Sequence, residues 1–446
     1  MQTLQIERLD PAPRTAAPPP VPAETDVVVI GGGIAGVTTA LFLAEAGVRV
    51  VLCEKGVIAG EQSSRNWGWV RQMGRDPREM PLSVESLALW HDIDRRFGID
   101  TGFRETGITY VSRTASEIAQ SQGWAEQARA GGLRSHLLDG PALARHLPGI
   151  ATGRYSLGLW TEDDGRAEPW RAVPQMARAA IRLGATILET CAVRGIETAG
   201  GALSAVVTER GTIRCTRAVV AGGVWSRLFL GNLGLDFPQL KIIGSVTRVE
   251  GPGAVPAMPV GGGDFAFRQR LDGGWSIALR NANIAPITPD SFRLLRDFLP
   301  TLVTSWRELS LRLNGQFVTE LAMPRRWALD GATPFERIRT LDPVPHEGHL
   351  SKGFENLKRA FPAFASARRT HSWAGMIDAT PDAIPAIGAI DRVPGLHICS
   401  GFSGHGFGIG PGAGRLMSEI LRGVTPCVDP APFRFDRFRT TAARAA

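Results

Sequence analysis

Cysteine and clustered charge are both scarce in this sequence of 446 residues. The five cysteines, Cys53, Cys191, Cys215, Cys399 and Cys427, lie far apart, and no C-x-x-C pair occurs. We therefore expect reduced thiols that behave as small buried hydrophobic residues in a cytoplasmic protein. The eight histidines include no H-E-x-x-H motif and do not cluster with the cysteines, so no metal site is predicted.

Basic residues are in excess, but they are not concentrated anywhere along the chain. The 50 lysines and arginines against 43 acidic residues give a net charge of +7, and no run of five or more basic residues occurs. Proteins that bind nucleic acids usually concentrate such charge on one face or in one tail. A nucleic-acid partner is therefore disfavoured, and a small-molecule substrate is expected.

Long apolar runs are also missing, apart from the uncharged segment of eighteen residues from Val27 to Ala44. A hydropathy window could take it for a membrane span, but four glycines and a cluster of valines divide it into a strand, a turn and a helix. No transmembrane segment is predicted. Residues 1–24 are rich in proline and alanine and lack the apolar core of a signal peptide, which predicts a disordered tail.

The segment DVVVIGGGIAGVTTALFLAEAGVRVVLCEK has the layout of a dinucleotide-binding unit. Its pattern predicts a buried strand from Val27 to Ile30, a helix from about Ile34 to Ala46, and a second strand from Val48 to Cys53. A glycine turn joins the first strand to the helix. Because these elements follow in the order that nucleotide binding requires, the glycines are interpreted as a binding motif rather than as a structural turn alone.

Each spaced glycine of the turn has a separate purpose. Gly31 allows the tight turn, Gly33 lets the backbone approach a pyrophosphate, and Gly36 lets the helix pack closely on the strand. Glu54 follows the second strand, where a carboxylate accepts hydrogen bonds from an adenosine ribose and disfavours the 2′-phosphate of NADP. These residues leave FAD and NAD as alternatives.

The chain is too long for one ordinary domain, and nucleotide-type segments recur at its start, middle and end. We predict an α/β fold in which a doubly wound, Rossmann-like nucleotide domain is interleaved with a second lobe of mixed, mainly antiparallel β-sheet and helices. A helical region is expected from about Ser291 to Leu313 in the second lobe. The nucleotide domain is assigned residues 25–80, 150–235 and 365–425, and the substrate-binding lobe is assigned residues 81–149 and 236–364.

A second glycine-rich stretch, GFSGHGFGIGPGAGRLM from Gly401 to Met417, lies near the end of the chain. A buried strand is predicted before it, from Leu396 to Ser400, and a helix is predicted over Gly412 to Leu421. Glycines between a strand and a helix let backbone N–H groups approach a flat or anionic ligand too closely for any Cβ atom. This stretch is interpreted as a second contact with the same cofactor.

The two glycine motifs, together with EDDGRAEPWR, AVVAGGVWS and WAGMIDATPDAIPAIG, resemble the D-amino-acid oxidase-like family of flavoproteins. That family includes glycine oxidase, sarcosine oxidase and D-amino-acid dehydrogenase, and the similarity runs from about Asp26 to Arg422. The resemblance implies FAD rather than NAD. It also implies that the closing glycine loop and its helix lie against the flavin ring, where the helix dipole stabilises negative charge on the reduced ring.

The resemblance further implies which residues contact FAD. The loop from Ser63 to Asn66 would cross the flavin and the pyrophosphate. Asp382 matches a position next to the cofactor, with a structural turn as the alternative. The expected cofactor-binding residues are Gly31, Gly33, Ile34, Ala35, Gly36, Glu54, Lys55, Ser63, Ser64, Arg65, Asn66, Val193, Gly222, Trp225, Gly375, Asp382, Gly401, Gly404, His405, Gly406, Phe407 and Gly408.

Three residues are candidates for catalysis or substrate binding. Arg71 lies near the position where sarcosine oxidases carry arginines for the substrate carboxylate; the alternative is a surface salt bridge. Arg280 lies near the strand where those oxidases use a lysine to activate oxygen. His405 is either a proton carrier or a loop histidine with structural hydrogen bonds. Trp67 and Trp69 either wall the substrate pocket or belong to the core.

The chain departs from the family pattern in three ways. Glycine oxidase-like members place an arginine just after W-A-G, where this chain has Met376 and Ile377, so the substrate class stays open. Monomeric sarcosine oxidases carry a flavin-linking cysteine at a position close to Gly375, and its absence here predicts non-covalent FAD. The stretch SIALRNAN contains no lysine, so an oxidase and a dehydrogenase both remain as alternatives.

The resemblance implies an enzyme that oxidises the C–N bond of an amino acid or N-substituted amino acid by hydride transfer to flavin, giving an imine that water hydrolyses. Hydride leaves best from carbon next to a neutral amine, so no strong side-chain base is required. Two alternatives remain open. One is oxidation of another amine or of a hydroxy acid, and the other is a non-catalytic FAD subunit of a heteromeric dehydrogenase.

Overall fold

The structure, a computed structural model, describes residues 6–7, 9, 19–305 and 309–438. The predicted tail, residues 1–24, therefore lies mostly outside the described residues. Within the described part, the Glu7 backbone N–H donates to the Trp170 carbonyl at 3.0 Å, and the Glu7 carboxylate accepts from Gln175 Nε2 at 2.6 Å. These contacts place Glu7 on the helix Pro169–Arg182.

The described residues alternate between strands and helices along most of the chain. The strands, β1 to β22 in chain order, are Val27–Ile30, Val50–Cys53, Trp69–Val70, Arg104–Glu105, Ile108–Ser112, Ser135–Asp139, Leu157–Thr161, Gly165–Arg166, Thr186–Leu188, Val193–Ala199, Ala202–Thr208, Gly211–Arg214, Arg217–Val220, Leu240–Glu250, Val260–Gly261, Ala266–Gln269, Trp275–Ala278, Asn283–Pro286, Leu309–Arg312, Arg368–Ala379, Ala386–Ala389 and Leu396–Ser400. The helices, α1 to α13, are Ile34–Glu45, Gln62–Arg65, Met80–Phe97, Ala115–Ala130, Gly140–His146, Pro169–Arg182, Ser226–Asn232, Pro289–Arg293, Leu295–Ser305, Gly315–Ala322, Pro334–Arg337, Glu347–Ala360 and Gly406–Arg422.

The nucleotide-type segments meet in one six-stranded sheet, in the order β21-β22-β13-β1-β2-β9. The strand pairs in this sheet are parallel except at its edge, where β21 runs antiparallel to β22. Successive side chains of β1 point to opposite faces, so Val27 and Val29 pack against α1, α6 and α13, while Val28 and Ile30 pack towards the three-stranded sheet β10-β11-β12. The predicted Rossmann-like α/β architecture is confirmed.

The turn between β1 and α1 is as tight as its motif predicts. Gly31 has φ +115°, and a Cβ atom there would lie 2.5 Å from the carbonyl oxygen of Ala221. A Cβ atom at Gly36 would lie 2.0 Å from the carbonyl oxygen of Gly31. Since real Cβ atoms do not approach so closely, glycine at both positions lets α1 begin directly at the end of β1.

The second lobe is built on a ten-stranded, mainly antiparallel sheet in the order β19-β18-β14-β17-β16-β15-β5-β7-β6, with β20 also paired to β14. The pair β14–β20 runs from Leu240 opposite Ala379 to Glu250 opposite Arg368. Trp373 in β20 donates from Nε1 to the carbonyl of Arg65 at 3.0 Å. β20 therefore connects the substrate lobe to the loop that crosses the nucleotide domain.

The helical region expected from about Ser291 to Leu313 is wrong at its end. α9 ends at Ser305, and the chain then forms β19, Leu309–Arg312, which pairs in parallel with β18; residues 306–308 lie outside the described residues. Leu309 and Leu311 alternate with Ser310 and Arg312, and this period of two is typical of a strand rather than a helix.

The predicted division of the chain into domains stays a prediction, and three elements bear on it. β20 lies within the predicted nucleotide segment 365–425, yet it pairs with β14 in the ten-stranded sheet. β7 lies within the predicted nucleotide segment 150–235, yet it pairs with β5 and β6 in the ten-stranded sheet. α3 lies within the predicted substrate segment 81–149, yet Leu82, Leu87 and Trp90 pack in the same core as α13. Hydrophobic contacts between distant segments decide these placements.

The cysteines are mostly buried, whereas part of the apolar surface is exposed. All five cysteines are free thiols, and four of them are buried. Among the described residues, no helix is both long and apolar enough to cross a bilayer. An exposed apolar segment in the substrate lobe carries the large side chains Phe292, Leu295, Leu299, Val303, Leu311, Leu313, Val318 and Leu321.

A substitution at Gly414 tests the close contact between α1 and α13. A Cβ atom at Gly414 would lie 2.2 Å from Thr38 Oγ1 and 2.6 Å from the Thr38 carbonyl carbon. Gly414→Ala should force the two helices apart and lower the free energy of unfolding by about 1–3 kcal/mol. The midpoint of thermal unfolding, Tm, measures this change.

The matched control is Gly123→Ala, because Gly123 lies inside α4 with open space where its Cβ atom would be. Alanine is favoured over glycine in a helix interior by about 1 kcal/mol, so Tm should stay the same or rise in this variant. Equal Tm values for the two variants would contradict the close contact of α1 and α13.

Candidate functional site: a cofactor cavity beside an arginine cluster

A cavity lies at the carboxyl ends of β1, β2, β13 and β22. Its volume, including the part that is open to solvent, is about 1210 Å³. Ligands of open parallel sheets bind at this end of the strands. Both glycine motifs contribute to the cavity wall. The predicted residues that line it are Gly31, Gly33, Ile34, Ala35, Glu54, Lys55, Ser63, Asn66, Val193, Gly222, Trp225, Gly404, Gly406 and Phe407.

The other predicted residues do not line the cavity wall but lie around it. Gly36 packs α1 onto β1, and each of the rest has contacts of its own. They are Ser64, Arg65, Arg71, Arg280, Gly375, Asp382, Gly401, His405 and Gly408.

Glu54 lies at one end of the cavity with its carboxylate held in place by the backbone. Its Oε2 accepts a hydrogen bond from the Gly32 N–H at 2.6 Å, and its Oε1 accepts from the Gly56 N–H at 2.7 Å. Burial raises the pKa of Glu54 to about 7. Each carboxylate oxygen has a further lone pair, so this group can accept hydrogen bonds from hydroxyl groups of a ligand.

The first turn of α1 faces the same cavity. It contains no acidic residue, and Gly33 offers no side chain to cap it. Ser63 supplies one partner, because its Oγ accepts from the Ile34 N–H at 2.9 Å. The positive end of the helix dipole therefore favours an anionic group such as a pyrophosphate at this point.

The loop around α2 is fixed from behind by buried polar contacts. Arg65 donates to the carbonyls of Gly60 at 3.2 Å and Ala374 at 3.1 Å, and it also pairs with Asp342. Ser64 Oγ donates to the Glu61 carbonyl at 3.1 Å. Arg65 and Ser64 therefore hold the loop in position, while Ser63 and Asn66 from the same loop line the cavity.

Gln62 also lines the cavity, although it was not among the predicted cofactor-binding residues. Its Oε1 atom is buried and has no hydrogen-bond partner within the described part of the chain. A Cβ atom at Gly375 would lie 2.2 Å from this oxygen, so glycine at position 375 makes room for the Gln62 side chain. A bound N–H or O–H donor would satisfy the unmet acceptor.

Lys55 and Trp225 line the cavity while bound to protein groups. Lys55 Nζ lies 2.6 Å from Glu61 Oε1 and 4.7 Å from the centroid of the Trp225 ring, and it donates to the Ile338 carbonyl at 2.9 Å. Trp225 Nε1 donates to Glu61 Oε2 at 3.0 Å. These contacts bring the segment around residue 338 to the cavity rim.

Asp378, rather than Asp382, is the carboxylate at the far end of the cavity. Asp378 Oδ2 accepts from the N–H groups of Gly401 at 2.7 Å and Phe402 at 3.3 Å, and burial raises the pKa of Asp378 to about 6. Asp382 instead accepts from the Ile384 N–H at 3.2 Å and pairs with Arg437 at 3.0 Å. The alternative interpretation of Asp382 as a turn residue therefore matches the structure.

The closing glycine stretch is helical over most of its length, which corrects the predicted start of the last helix at Gly412. α13 begins at Gly406, so its N-terminus reaches the cavity. A Cβ atom at Gly410 would lie 2.7 Å from Ile34 Cγ1, and one at Gly408 would lie 3.4 Å from the Trp69 carbonyl oxygen. These glycines serve close helix packing, while Gly401 and Gly404, with φ +82° and +86°, form the loop itself.

Arg71 and Arg280, far apart in sequence, meet on the ring of Tyr110. Their guanidinium carbons lie 5.9 Å and 3.8 Å from its centroid. Arg71 donates to the carbonyl of Met73, and Arg280 Nη1 donates to the carbonyl of Gly262 at 3.3 Å. Within the described residues, neither guanidinium lies within 4.0 Å of a carboxylate. Two partly buried cations that form no ion pair with a carboxylate in the described part of the chain favour the binding of a carboxylate.

Aromatic rings cover one side of this arginine pair. The Trp69 centroid lies 5.9 Å from that of Tyr110, and the Trp67 centroid lies 5.5 Å from that of Trp69. Trp69 is buried, and a Cβ atom at Gly261 would lie 3.0 Å from its ring. Tyr110 is the residue that brings the cluster together, and its place in an alternating strand was the only signal for it in the sequence.

His405 lies between Gly404 and Gly406, but its ring is paired with a buried acid. His405 Nδ1 lies 3.1 Å from Glu79 Oε2. Burial and the charge of Arg75 lower the pKa of His405, so the ring is neutral at pH 7. A neutral ring donates from Nδ1 to the carboxylate, which matches the alternative of a loop histidine with structural hydrogen bonds.

The residues around the cavity fit FAD in their chemistry. A carboxylate at one end suits a ribose, a helix N-terminus beside it suits a pyrophosphate, and an unmet acceptor and a second helix N-terminus at the other end suit a polar ring. In the described part of the chain, no three His, Cys, Asp or Glu side chains are grouped so as to hold a metal ion.

Comparison with known proteins agrees with this geometry. The family model of FAD-dependent oxidoreductases, DAO, matches residues 26–420, and the chain belongs to that family. The resemblance found in the sequence is thereby confirmed, together with the prediction of a FAD-dependent enzyme.

Solved structures and curated relatives show how close the similarity is. The structure of L-amino acid deaminase from Proteus myxofaciens superposes with a TM-score of 0.91 at 34% identity, covering 98% of this chain and 97% of that one. Glycine oxidase from Pseudomonas putida is 24% identical over 91% of this chain and 97% of its own length. 4-Methylaminobutanoate oxidase (formaldehyde-forming) from Paenarthrobacter nicotinovorans is 25% identical over 94% of this chain, which spans only 46% of that relative.

The raised pKa of Glu54 predicts that FAD binding depends on pH. The Glu54 carboxyl, with a pKa of about 7, is mostly protonated at pH 6 and mostly ionised at pH 8. Ribose hydroxyls bind the ionised form, so FAD binding releases a proton and its Kd should fall as the pH rises through this range. Quenching of FAD fluorescence measures Kd at each pH.

Glu54→Gln should abolish most of this pH dependence and raise Kd at pH 8 by about tenfold or more, because a hydrogen bond to a charged group contributes about 1.5–3 kcal/mol. Glu45→Gln is the control, since Glu45 lies away from the cavity and pairs with Arg96. A Kd for Glu54→Gln equal to that of the unmodified protein at both pH values would remove Glu54 from the cofactor site.

Proposed function

We propose that the protein oxidises the C–N bond of α-amino acids and that free L-α-amino acids are its preferred substrates. Bound FAD would supply the acceptor for a hydride from the α-carbon, and water would hydrolyse the imino acid product to an oxo acid and ammonia. The observation that carries the proposal is the pair of guanidinium groups on Tyr110, neither of which lies within 4.0 Å of a carboxylate of the described residues. Their segment reaches α13, because a Cβ atom at Gly408 would lie 3.5 Å from the Arg71 backbone nitrogen. The similarity to an L-amino acid deaminase at 34% identity supports the choice of substrate.

The protein's own residues bind and orient the substrate. Arg71 and Arg280 would hold the α-carboxylate, and the planar guanidinium groups would fix its direction through paired N–H donors. Trp67, Trp69 and Tyr110 would exclude water around this ion pair, which strengthens it. Orientation of the α-carbon towards the cavity lowers the entropic part of the barrier without a strong side-chain base.

We further propose that FAD is held without a covalent bond. No cysteine lies close to Gly375, where monomeric sarcosine oxidases carry the cysteine that links the flavin. The cysteines that line the cavity, Cys53 and Cys399, are poor nucleophiles. The Cys191 thiol and burial raise the pKa of Cys53 well above its ordinary value, and burial does the same for Cys399, so both remain protonated.

A second substrate class has specific support among the relatives. The beta subunit of sarcosine oxidase from Arthrobacter is 25% identical over 93% of this chain, and its name indicates an N-methyl amino acid and a multi-subunit enzyme. The arginine pair would bind the carboxylate of such a substrate equally well, so it does not distinguish an N-methyl group from a free amine. The experiment below decides between them.

Anaerobic bleaching of the yellow protein tests the proposed function without assuming an electron acceptor. L-α-amino acids should reduce the flavin faster than their D-enantiomers or N-methyl derivatives, with an oxo acid as product. Preference for N-methyl amino acids would replace the proposed substrate class, and no bleaching by the isolated chain would support a subunit that needs partners. Acid precipitation should leave the colour in the supernatant, and colour in the pellet would contradict non-covalent binding.

Arg71→Lys tests the proposed carboxylate anchor. Lysine keeps the charge but loses the paired donors, so KM for amino acids should rise about tenfold, in line with the loss of one charged hydrogen bond. The Kd for FAD should not change, because Arg71 does not line the cavity. Steady-state kinetics and FAD titration measure the two effects.

Arg280→Lys should act in the same direction, while the control Arg95→Lys, whose side chain is 84% exposed, should change neither constant. A change in FAD affinity larger than the change in KM would move Arg71 to the cofactor. Unchanged KM values in both variants would reject the arginine pair as the carboxylate site.

A further inference from the structure

A buried acid connects the start of α3 to the start of α13. Glu79, the residue before α3, is 0% exposed, and its Oε2 and Oε1 lie 3.1 Å and 3.3 Å from Nδ1 of His405, the residue before α13. Gly404 and Gly406 on either side of His405 line the cavity. Glu79 therefore acts on the backbone at the cavity end through a single intervening side chain.

Arg75 lies on the other side of the same carboxylate. Its Nη1 is 3.7 Å from Glu79 Oε2, and its Nε donates to the Arg71 carbonyl at 3.4 Å. Arg75 is only 4% exposed, and within the described residues neither its Nη1 nor Glu79 Oε2 has a hydrogen-bond partner. Arg75 thus links the Glu79–His405 pair to the segment that carries Arg71.

Without Glu79, the group formed by Arg71, Arg75 and His405 would carry an excess of positive charge. Arg71, Arg75 and the N-terminus of α13 are positive, and the nearby Asp164 has a pKa that burial raises to about 7. Asp76 is neutralised by Arg78 at 3.0 Å. Burial raises the pKa of Glu79, but its contact with His405 and the positive charge of Arg75 outweigh burial and keep that pKa below its ordinary value. Glu79 therefore supplies a full negative charge at neutral pH.

We propose that Glu79 is a positioning residue that orients His405 and lowers the reduction potential of the bound flavin. The inference rests on the proposed function and on the position of the flavin ring that the family resemblance implies, against the closing glycine loop, where Gly404, Gly406 and Phe407 line the cavity. Reduction adds negative charge to the ring, and a carboxylate held behind the N-terminus of α13 opposes that charge. Without Glu79, the positive charges of Arg71, Arg75 and the helix would act on the ring unopposed.

The test is the midpoint potential of FAD in the holoprotein, measured against reference dyes in the absence of substrate. Glu79→Gln should shift the equilibrium towards reduced flavin by about tenfold, the effect of one unit charge roughly 10 Å away at an effective dielectric constant near 20. Tenfold corresponds to about 30 mV for a two-electron couple. Glu79→Asp retains the charge and should restore most of the original potential.

Two further variants test the proposal even if Glu79→Gln folds poorly. Arg75→Met removes a positive charge from the same cluster, so it should lower the potential instead of raising it. Glu85→Gln is the matched control on α3, because Glu85 pairs with Arg415 and does not line the cavity, and it should leave the potential unchanged.

Equal potentials in Glu79→Gln, Arg75→Met and the unmodified protein would overturn the proposal and leave Glu79 as a structural ion pair that only affects Tm. Shifts of the same sign in Glu79→Gln and Arg75→Met would also overturn it, because they would indicate a general disturbance of the site. Since no substrate is present, failure here leaves the proposed substrate class intact. Failure of the substrate screen, in turn, leaves the measured potentials valid.

Discussion

The contact between α1 and α13 is the constraint on which the rest of the site depends. Thr38 Oγ1 in α1 donates to the carbonyl of Gly410 in α13 at 2.9 Å, and glycines at 410 and 414 remove the atoms that would keep the helices apart. Because the two helices pack so closely, their N-termini open into one cavity. A single ligand can then place an anionic group at one helix and a ring at the other.

The buried carboxylates at the two ends of the cavity are held in the same way, by backbone N–H groups. Glu54 and Asp378 each accept two hydrogen bonds from backbone N–H groups, yet burial raises the pKa of both. Backbone donors alone therefore do not compensate the loss of water around these groups. For Glu54, hydroxyl donors of a bound ligand would provide the missing stabilisation, so its ionisation is coupled to binding.

A buried ion pair joins the start of α6 to β16 of the ten-stranded sheet. Arg268 donates to both oxygens of Glu168, at 2.7 Å and 2.9 Å, and its Nε donates to the Trp67 carbonyl at 2.5 Å. Both side chains are almost completely buried, so the pair contributes more to position than to net stability. It fixes the segment from Trp67 to Trp69 against the ten-stranded sheet. Arg71, which lies just beyond that segment, is thereby held near Arg280.

The sequence by itself determined the features that depend on local spacing. The glycine turn, the helix α1 and Glu54 after β2 follow from periodicity and from backbone geometry within a few residues. The family resemblance added the cofactor because its motifs are equally local. The first residue of the last helix did not follow from the sequence: α13 begins at Gly406 rather than at Gly412. Glycines that pack against α1 cannot be told from loop glycines in the sequence.

Only the tertiary structure decided which distant side chains meet. Asp378 and Asp382 are four residues apart, and the position at which β20 ends places the first at the cavity and the second beside Arg437. Tyr110 between Arg71 and Arg280, and Glu79 with His405, join residues from separate segments. Such contacts arise when strands pair and helices pack across the whole chain. No pattern of neighbouring residues encodes the distance between them.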